Sequence, residues 1–378
     1  MGQCAGRAGG RSSCPVCGDL HCGAMIRTVR VVTLALLGSL GLSGCADLGY
    51  LVQAAGGQLD LLRRARPLDQ ARQDPALSPE TRRKLNLAAQ VRAFAVAPPA
   101  QGGLGLPDHG SFRDYVDVGR PYVVWNVFSA PEFSVALDTA CFPVAGCVAY
   151  RGYFNEAQAQ ADAEGRRAAG RDVIVGGVSA YSTLGYLKDP LLSTMLLYPD
   201  ATLIRTIIHE LSHPSVYVPG DTVFNESYAT AVEEEGMRRY LAAHGTPDLR
   251  AADGLAQERQ AAFQALLLDS RQALEALYAQ GGLSDDERRA RKAEVLQAAQ
   301  NRYAALRASW GGYAGYDTFF AQGLNNAALG AVAAYAALVP EFQALLARVG
   351  GDLGTFITAA RACGARPQPE RAACLRGG

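Results

Sequence analysis

Two histidines four residues apart, with a glutamate directly after the first, are the strongest chemical signal in the chain. They are His209, Glu210 and His213, within the segment IIHELSHPSVYVPGDTVFNESYATAVEEEG at 207–236. On a helix, residues i and i+4 lie on one face, so both imidazoles can reach a single metal ion. Neutral imidazole nitrogens bind Zn²⁺ at about 2.0–2.1 Å. The spacing predicts a zinc site, and the alternative is a helix with two structural histidines.

Glu210 has the residue type and position of a catalytic base. One residue after His209, it is rotated by about 100° around the helix, so it can lie beside the metal without binding it. A metal ion acidifies its bound water, and a neighbouring carboxylate can take the proton as that water attacks a carbonyl. This is the chemistry of the H-E-x-x-H zincins.

A catalytic zinc site usually has a third protein ligand, and two glutamates are candidates. Glu226 follows His213 by thirteen residues and Glu233 follows it by twenty. Both fall on the next predicted helix, where Glu226 can instead be a carboxylate that interacts with the helix dipole. Spacing alone leaves both candidates open.

Pro214 departs from the expected pattern at the second histidine. Inside a helix it removes one backbone hydrogen bond, to the carbonyl of Glu210, and disfavours helical geometry at His213, at a cost of about 3 kcal/mol. We therefore expect the helix to kink or end at His213.

Two helices must position these residues. The first is predicted to begin at Asp200 as N-cap, with an apolar face that includes Leu203, Ile204, Ile207, Ile208 and Leu211. The second is predicted to begin after Pro219-Gly220, with Asp221 or Thr222 as cap, and to end at Gly245.

The remaining segments alternate between strand and helix signals. Residues 122–128 (YVVWNVF) predict a buried strand, and the apolar, β-branched run at 171–183 predicts another. Residues 254–280 and 285–310 predict a long helical hairpin, with Ser284 and Glu287 as a capping box. These patterns predict an α+β fold with a small sheet, active-site helices and a mainly helical C-terminal part.

The N-terminus has the pattern of a lipoprotein signal peptide. A short basic region after Met25 precedes a dozen apolar residues and then LSGC, which ends at Cys45. The pattern predicts a signal peptide at 25–44, lipidation of Cys45, and a start-site artefact at 1–24. Ala46 then favours the outer membrane over inner-membrane retention. A zinc knuckle in CPVCGDLHC is rejected on the same ground, because this segment would be absent from the mature protein.

Four further cysteines suit an oxidising compartment. Cys141 with Cys147 and Cys363 with Cys374 are the simplest of three pairings, and free buried thiols are the alternative.

The chain has 378 residues, 49% hydrophobic residues and a net charge of zero. That balance gives no electrostatic argument for a nucleic-acid partner, and the oligomeric state stays open.

A set of motifs from about Tyr50 onwards resembles the putative aminopeptidase family of Gram-negative envelope lipoproteins. The motifs are WNVFSAPEFS, CFPVAGCVAYRGYF, DVIVGGVSAYSTLGYLKDP, HELSH, GDTVFNESYATAVEEEG and LNNA. The resemblance implies a zincin-like fold and a peptide or protein substrate.

The segment NESYATAVE is also similar to the N-E-G-F-A…E segment of gluzincin aminopeptidases. That similarity assigns the third zinc ligand to Glu226, with Glu233 behind it, although thermolysin-like spacing favours Glu233. By the same analogy the strand at 173–182 is a sheet edge for substrate, and Tyr181 or Tyr217 stabilises the oxyanion. Asn325 and Asn326 are expected to be helix caps rather than site residues.

The expected function is a Zn²⁺-dependent peptidase, lipid-anchored in the outer membrane and facing the periplasm, with aminopeptidase specificity. One alternative is an endopeptidase acting on envelope proteins. A second is a non-catalytic lipoprotein scaffold that binds a partner through the hairpin. The expected divisions are a tether with a helical segment at 45–110, a catalytic core at 111–245 and the helical part at 246–378.

Overall fold

The computed structural model describes residues 49–142, 146–183 and 186–377. The chain divides into two compact units, 1–55 and 56–378, and the described part of the first, 49–55, is helical. The predicted start-site artefact at 1–24, the predicted signal peptide at 25–44 and the predicted lipidation site Cys45 lie outside the described residues. Among the helices described, none is long and apolar enough to span a membrane.

The fold is mixed α+β, with several small sheets and a majority of helix. The strands are β1 (Arg66–Pro67), β2 (Asp114–Val116), β3 (Val124–Pro131), β4 (Ala140–Phe142), β5 (Gly146–Val148), β6 (Arg151–Tyr153), β7 (Arg171–Val178) and β8 (Leu191–Leu192). The helices of the N-terminal half are α1 (49–64), α2 (Leu68–Ala71), α3 (Pro79–Val96), α4 (Glu156–Ala168), α5 (Asp200–Ser212) and α6 (Thr222–His244). The later helices are α7 (Pro247–Tyr278), α8 (Asp285–Ser309), α9 (Asp317–Ala321), α10 (Asn326–Ala336), α11 (Val339–Arg348), α12 (Leu353–Gly364) and α13 (Gln368–Arg376).

The main sheet has the order β6-β3-β7, with β3 antiparallel to both neighbours. β3 is buried along nearly its whole length, which confirms the strand expected near residues 122–128. The apolar, glycine-broken run forms the expected strand, β7, which lies at one edge of this sheet, as the analogy with zincins implies. Strands β1, β2 and β8 form a second sheet, and β4 and β5 form a hairpin.

The apolar core falls into two clusters. The first contains the buried face of α5 together with residues of α3, α6, α11 and α12, and its α5 members are Ala201, Leu203, Ile204, Ile207, Ile208 and Leu211. The second joins the main sheet to α7, α8 and α10. Burial of a leucine or isoleucine side chain contributes about 1.5–3 kcal/mol, so the first cluster holds α5 firmly against its neighbours.

Helix caps explain most of the observed boundaries. Asp221 accepts a hydrogen bond from the backbone of Phe224 and begins α6, as expected. Ser284 and Glu287 form the expected capping box of α8. The predicted N-cap role of Asp200 is wrong, because Asp200 is the first residue of α5 and pairs instead with Arg83 through two contacts of 2.7 Å.

The helical hairpin consists of α7 and α8. α7 begins at Pro247, earlier than the expected start at Gly254, because Thr246 accepts a hydrogen bond from Leu249 and Pro247 occupies the first helical position. Its C-terminus and the whole of α8 match the sequence-based boundaries within two residues.

Both expected cysteine pairs are bonded in the structure. Cys141 and Cys147 join β4 to β5, and Cys363 joins the last turns of α12 to Cys374 in α13. The first residue of β5, Gly146, lies close to the turn that precedes α6: a Cβ on Gly146 would lie 2.7 Å from the backbone nitrogen of Gly220.

Gly236 permits the close approach of α6 to α5. A Cβ at this position would lie 2.7 Å from Ile208 Cγ2 and 2.9 Å from Leu104 Cδ1. Gly254 in α7 is also helical, but a Cβ there would meet nothing within 4 Å.

We predict that the same substitution has opposite effects at these two glycines. Gly236→Ala should lower the free energy of unfolding by about 1–3 kcal/mol through overpacking. Gly254→Ala should raise it by up to about 1 kcal/mol, because alanine is the better helix former. Urea denaturation of the two variants measures both effects, and equal stabilisation at both positions would contradict the close α5–α6 approach.

Candidate metal centre

His209, Glu210 and His213 lie at the C-terminal end of α5. The two imidazole rings are close, with centroids 4.9 Å apart and planes at 82°. α5 ends at Ser212, and a 3₁₀ turn follows at His213–Ser215. His213 nevertheless keeps helical dihedrals, with φ −50° and ψ −42°. Pro214 therefore ends the helix without moving His213 off the face that it shares with His209.

Glu226 is the carboxylate that faces both histidines. It lies in the second turn of α6, where the Asp221 cap sets the start of the helix. Its Oε2 is 3.3 Å from His209 Nε2 and 3.8 Å from His213 Nε2. In the described part of the chain, these three residues form the one group whose donor atoms lie within 4.8 Å of one another in a way that could hold a metal ion.

These separations fit a tetrahedral zinc site. Ligands about 2.0–2.1 Å from a tetrahedral Zn²⁺ lie about 3.3–3.4 Å from each other. The two measured distances to Glu226 are close to that value, and the donor set of two imidazoles and one carboxylate is one that zinc uses in catalytic sites. The residues present therefore fit the ion that the sequence predicts.

Glu233 lies on the other side of His209, two turns further along α6. Its Oε2 is 3.1 Å from His209 Nδ1, and its Oε1 is 3.4 Å from Arg205 Nη1. A carboxylate on Nδ1 orients the ring and leaves Nε2 directed at Glu226. The structure thus places Glu226, rather than Glu233, in the donor group.

Arg205 and Asp253 extend this arrangement and were missed in the sequence. Arg205 Nε and Nη2 lie 2.7 Å and 3.0 Å from the two carboxylate oxygens of Asp253 in α7. The position of Arg205, four residues before His209 on the same helical face, was the available signal. Nothing local marks Asp253 as its partner.

Burial and the neighbouring charges shift the pKa values of the two histidines in opposite directions. Burial lowers the pKa of His213 to about 4, and the nearby His209 adds to this, so His213 is neutral at pH 7. Burial also acts to lower the pKa of His209, but hydrogen bonds to Glu226 and Glu233 outweigh it and hold that pKa well above its ordinary value. The Nδ1 atom of His213 is buried without a hydrogen-bond partner among the described residues.

The pKa values of the carboxyl groups of Glu210 and Glu226 are shifted in opposite directions. Burial raises the pKa of Glu210 to about 7; nearby carboxylates including Glu226 add to this, against an opposing effect of His209. For Glu226, burial raises the pKa, but His213 and His209 outweigh it, so the net shift is downward. Glu226 is the anion of the pair, and Glu210 is poised to exchange a proton near neutral pH.

The predicted tyrosines occupy different surroundings. Burial raises the pKa of Tyr217, and the charges of Tyr186 and Glu226 add to this. The hydroxyl of Tyr181 donates to Gln58, and its ring packs edge-on against Phe154. Burial also raises the pKa of Tyr198, which the sequence analysis missed; Tyr122 and Glu210 add to this, against a hydrogen bond with Ser179.

Asn325 is a helix cap, as expected, whereas the expected cap role of Asn326 is wrong, because Asn326 is the first residue of α10. Asn325 caps α10 and donates to the carbonyl of Val173 at the start of β7. Asn326 is fully buried and donates to the carbonyls of Pro131 and Glu132. Both fix α10 against the sheet and take no part in the donor group.

Comparison with known proteins gives one match. A family model described as "Putative aminopeptidase" matches residues 49–375, which is nearly the whole chain. No curated protein and no solved structure gives a significant match.

We predict that the two glutamates of α6 differ in their effect on metal binding. Glu226→Gln removes an anionic donor and should reduce zinc affinity more than Glu233→Gln, which should cost about 10–100-fold as an outer partner of His209. Competition with a chelator of known affinity gives both values. A larger loss in Glu233→Gln would make Glu233 the third ligand instead.

Proposed function

The chain belongs to the putative aminopeptidase family, and from this premise we propose that it is a zinc-dependent peptidase of the gluzincin type with a zincin-like catalytic core. One observation carries the proposal. Glu210 stands beside a group of three donor atoms, from His209, His213 and Glu226, on two helices that pack face to face. Metal-dependent peptide hydrolysis needs a metal ligand set and an adjacent base, and this pair of helices carries residues of both types.

Zn²⁺ held by these three residues supplies a Lewis acid that polarises a carbonyl and acidifies water. In this proposal, Glu210 is the general base. Its carboxylate accepts a proton from the attacking water and passes it to the departing amine. Burial and nearby carboxylates raise the pKa of Glu210 to about 7, so both protonation states are accessible at neutral pH.

Tyr217 is the oxyanion donor that we propose. It follows the ligand His213 by four residues, and the charges of Tyr186 and Glu226 add to the effect of burial in raising its pKa. A phenol that donates to the developing oxyanion stabilises the transition state more than the substrate. We assign this role to Tyr217.

The edge of the main sheet supports an extended peptide as substrate. β7 pairs with β3 along one side only, and its end at Gly176–Val178 is half-exposed. Burial raises the pKa of Tyr198, which hydrogen-bonds with Ser179 just beyond this end, and the charge of Glu210 adds to the shift. An exposed strand edge can bind a peptide through backbone hydrogen bonds, and we propose that β7 does so here.

Aminopeptidase specificity is the first proposal because it is the description of the family. An aminopeptidase needs an anionic group for the free amine of its substrate, and by residue type Glu233 and Glu234 on α6 are candidates. Glu233 is bound to His209 and Arg205, and Glu234 accepts a hydrogen bond from Gln343. Since both are engaged elsewhere, an endopeptidase is the second candidate.

The proposed location is the periplasmic face of the outer membrane, through a lipid on Cys45. The signal-peptide pattern before Cys45 supports export, and the disulfides Cys141–Cys147 and Cys363–Cys374 suit an oxidising compartment.

We predict that Glu210→Gln separates metal binding from hydrolysis. The variant should retain about one zinc per chain, because Glu210 is not a ligand, while peptide hydrolysis falls by at least about 100-fold through loss of the base. Metal analysis and a peptide-library assay measure the two properties, with the exposed Glu258→Gln as the matched control. A purified chain without zinc and without peptidase activity would overturn the proposal and favour a scaffold.

A paired-substrate assay distinguishes the two specificities. Peptides with a free N-terminus should be cleaved at the first bond, and their N-acetylated counterparts should resist cleavage, because acetylation removes the cationic amine. Equal rates with internal cleavage would identify the endopeptidase.

A further inference from the structure

A chain of ion pairs and hydrogen bonds connects three helices behind the metal-ligand group. It runs from Asp253 in α7 to Arg205 in α5, from Arg205 to Glu233 in α6, and from Glu233 back to His209 in α5. The Arg205–Asp253 bonds are 2.7 Å and 3.0 Å, the Arg205–Glu233 contact is 3.4 Å and the Glu233–His209 contact is 3.1 Å. Each link uses a different atom of its residue, so all of them exist at once.

The chain is buried enough for its geometry to be fixed. The side chains of Arg205 and Asp253 are only 12% and 10% exposed, and that of Glu233 is 19% exposed. Charges removed from water in this way are costly unless each is paired, and removal of one partner leaves the others uncompensated. Arg205 is the one cation that both carboxylates contact, so their positions depend on it.

An arginine suits this position because its guanidinium binds in two directions. Its Nε and Nη2 atoms donate two hydrogen bonds to Asp253, while Nη1 remains directed at Glu233. A lysine keeps the charge but has a single nitrogen, which cannot span both carboxylates in a fixed geometry.

We propose that Arg205 is a positioning residue for the metal centre. It holds Glu233 so that the free oxygen of that carboxylate accepts the Nδ1 proton of His209. The imidazole then presents Nε2, with its lone pair, towards Glu226 and the ion. This inference rests on the proposed zinc site and adds to it the residue that orients the first ligand.

Asp253 anchors the arrangement from outside the two site helices. It lies in the second turn of α7, so the hairpin of α7 and α8 contributes to the site through this one buried carboxylate. Asp253 therefore affects the metal centre only through Arg205.

The test is zinc affinity in the purified full chain, measured by competition with a chelator. Arg205→Lys should weaken affinity by about 10–100-fold, the usual cost of losing an outer partner of a metal ligand. Asp253→Asn, which keeps the shape of the side chain, should weaken it in the same direction by a smaller factor. The matched control is Arg83→Lys, which alters another two-bond Arg–Asp pair to α5, at its opposite end.

A purely structural role is excluded by a second measurement. The visible spectrum of the Co²⁺-loaded chain reports ligand geometry, and we expect it to change in Arg205→Lys but not in Arg83→Lys, with thermal unfolding as the fold control. If wild type binds zinc and both Arg205→Lys and Asp253→Asn bind it equally well, the inference is overturned and the proposed function stands. If wild type itself binds no zinc, the proposed function fails and the inference falls with it. If Arg205→Lys does not fold, the zinc affinity of Asp253→Asn alone decides whether the inference holds.

Discussion

The close packing of α5 against α6 is the contact on which the site depends. Gly236 removes the side chain that would separate the helices near Ile208, one residue before the first ligand. Because the two helices are so close, two glutamates seven residues apart on α6 contact opposite edges of the His209 imidazole. Glu226 faces Nε2 of His209 and Glu233 faces Nδ1. One helix pair therefore supplies the ligands and the group that orients them.

The charge balance of the same region follows from this packing. Glu226 and Glu233 are among the carboxyl groups whose charges act on Glu210, and Arg205 pairs with Glu233 and Asp253. Without a metal, burial raises the pKa of Glu210, and the two carboxylates raise that of His209, so a proton partly compensates for the missing positive charge. In the proposed zinc site, a divalent cation held by His209, His213 and Glu226 would supply that positive charge and displace the proton from His209. The electrostatics of these residues are compatible with the metal ion that we propose.

Local signals were sufficient to predict much of this arrangement. The apolar face of α5, the Asp221 cap of α6 and the Ser284–Glu287 capping box each depend on residues within one or two turns, and each was confirmed. Asp200 was misassigned because a long-range partner, Arg83, competes for its side chain. The link from Arg205 to Asp253 spans 48 residues and depends on where α7 lies, which no local pattern encodes. The choice between Glu226 and Glu233 likewise required the register of two packed helices.

The most direct test of the central claim is an anomalous diffraction measurement on crystals of the protein, at energies on either side of the zinc absorption edge. The account predicts a single anomalous peak per chain, about 2.0–2.1 Å from Nε2 of both His209 and His213 and within bonding distance of a carboxylate oxygen of Glu226. Glu233 should remain on Nδ1 of His209, outside bonding distance. The absence of a zinc peak at these residues, or a peak bound by Glu233 in place of Glu226, would contradict it.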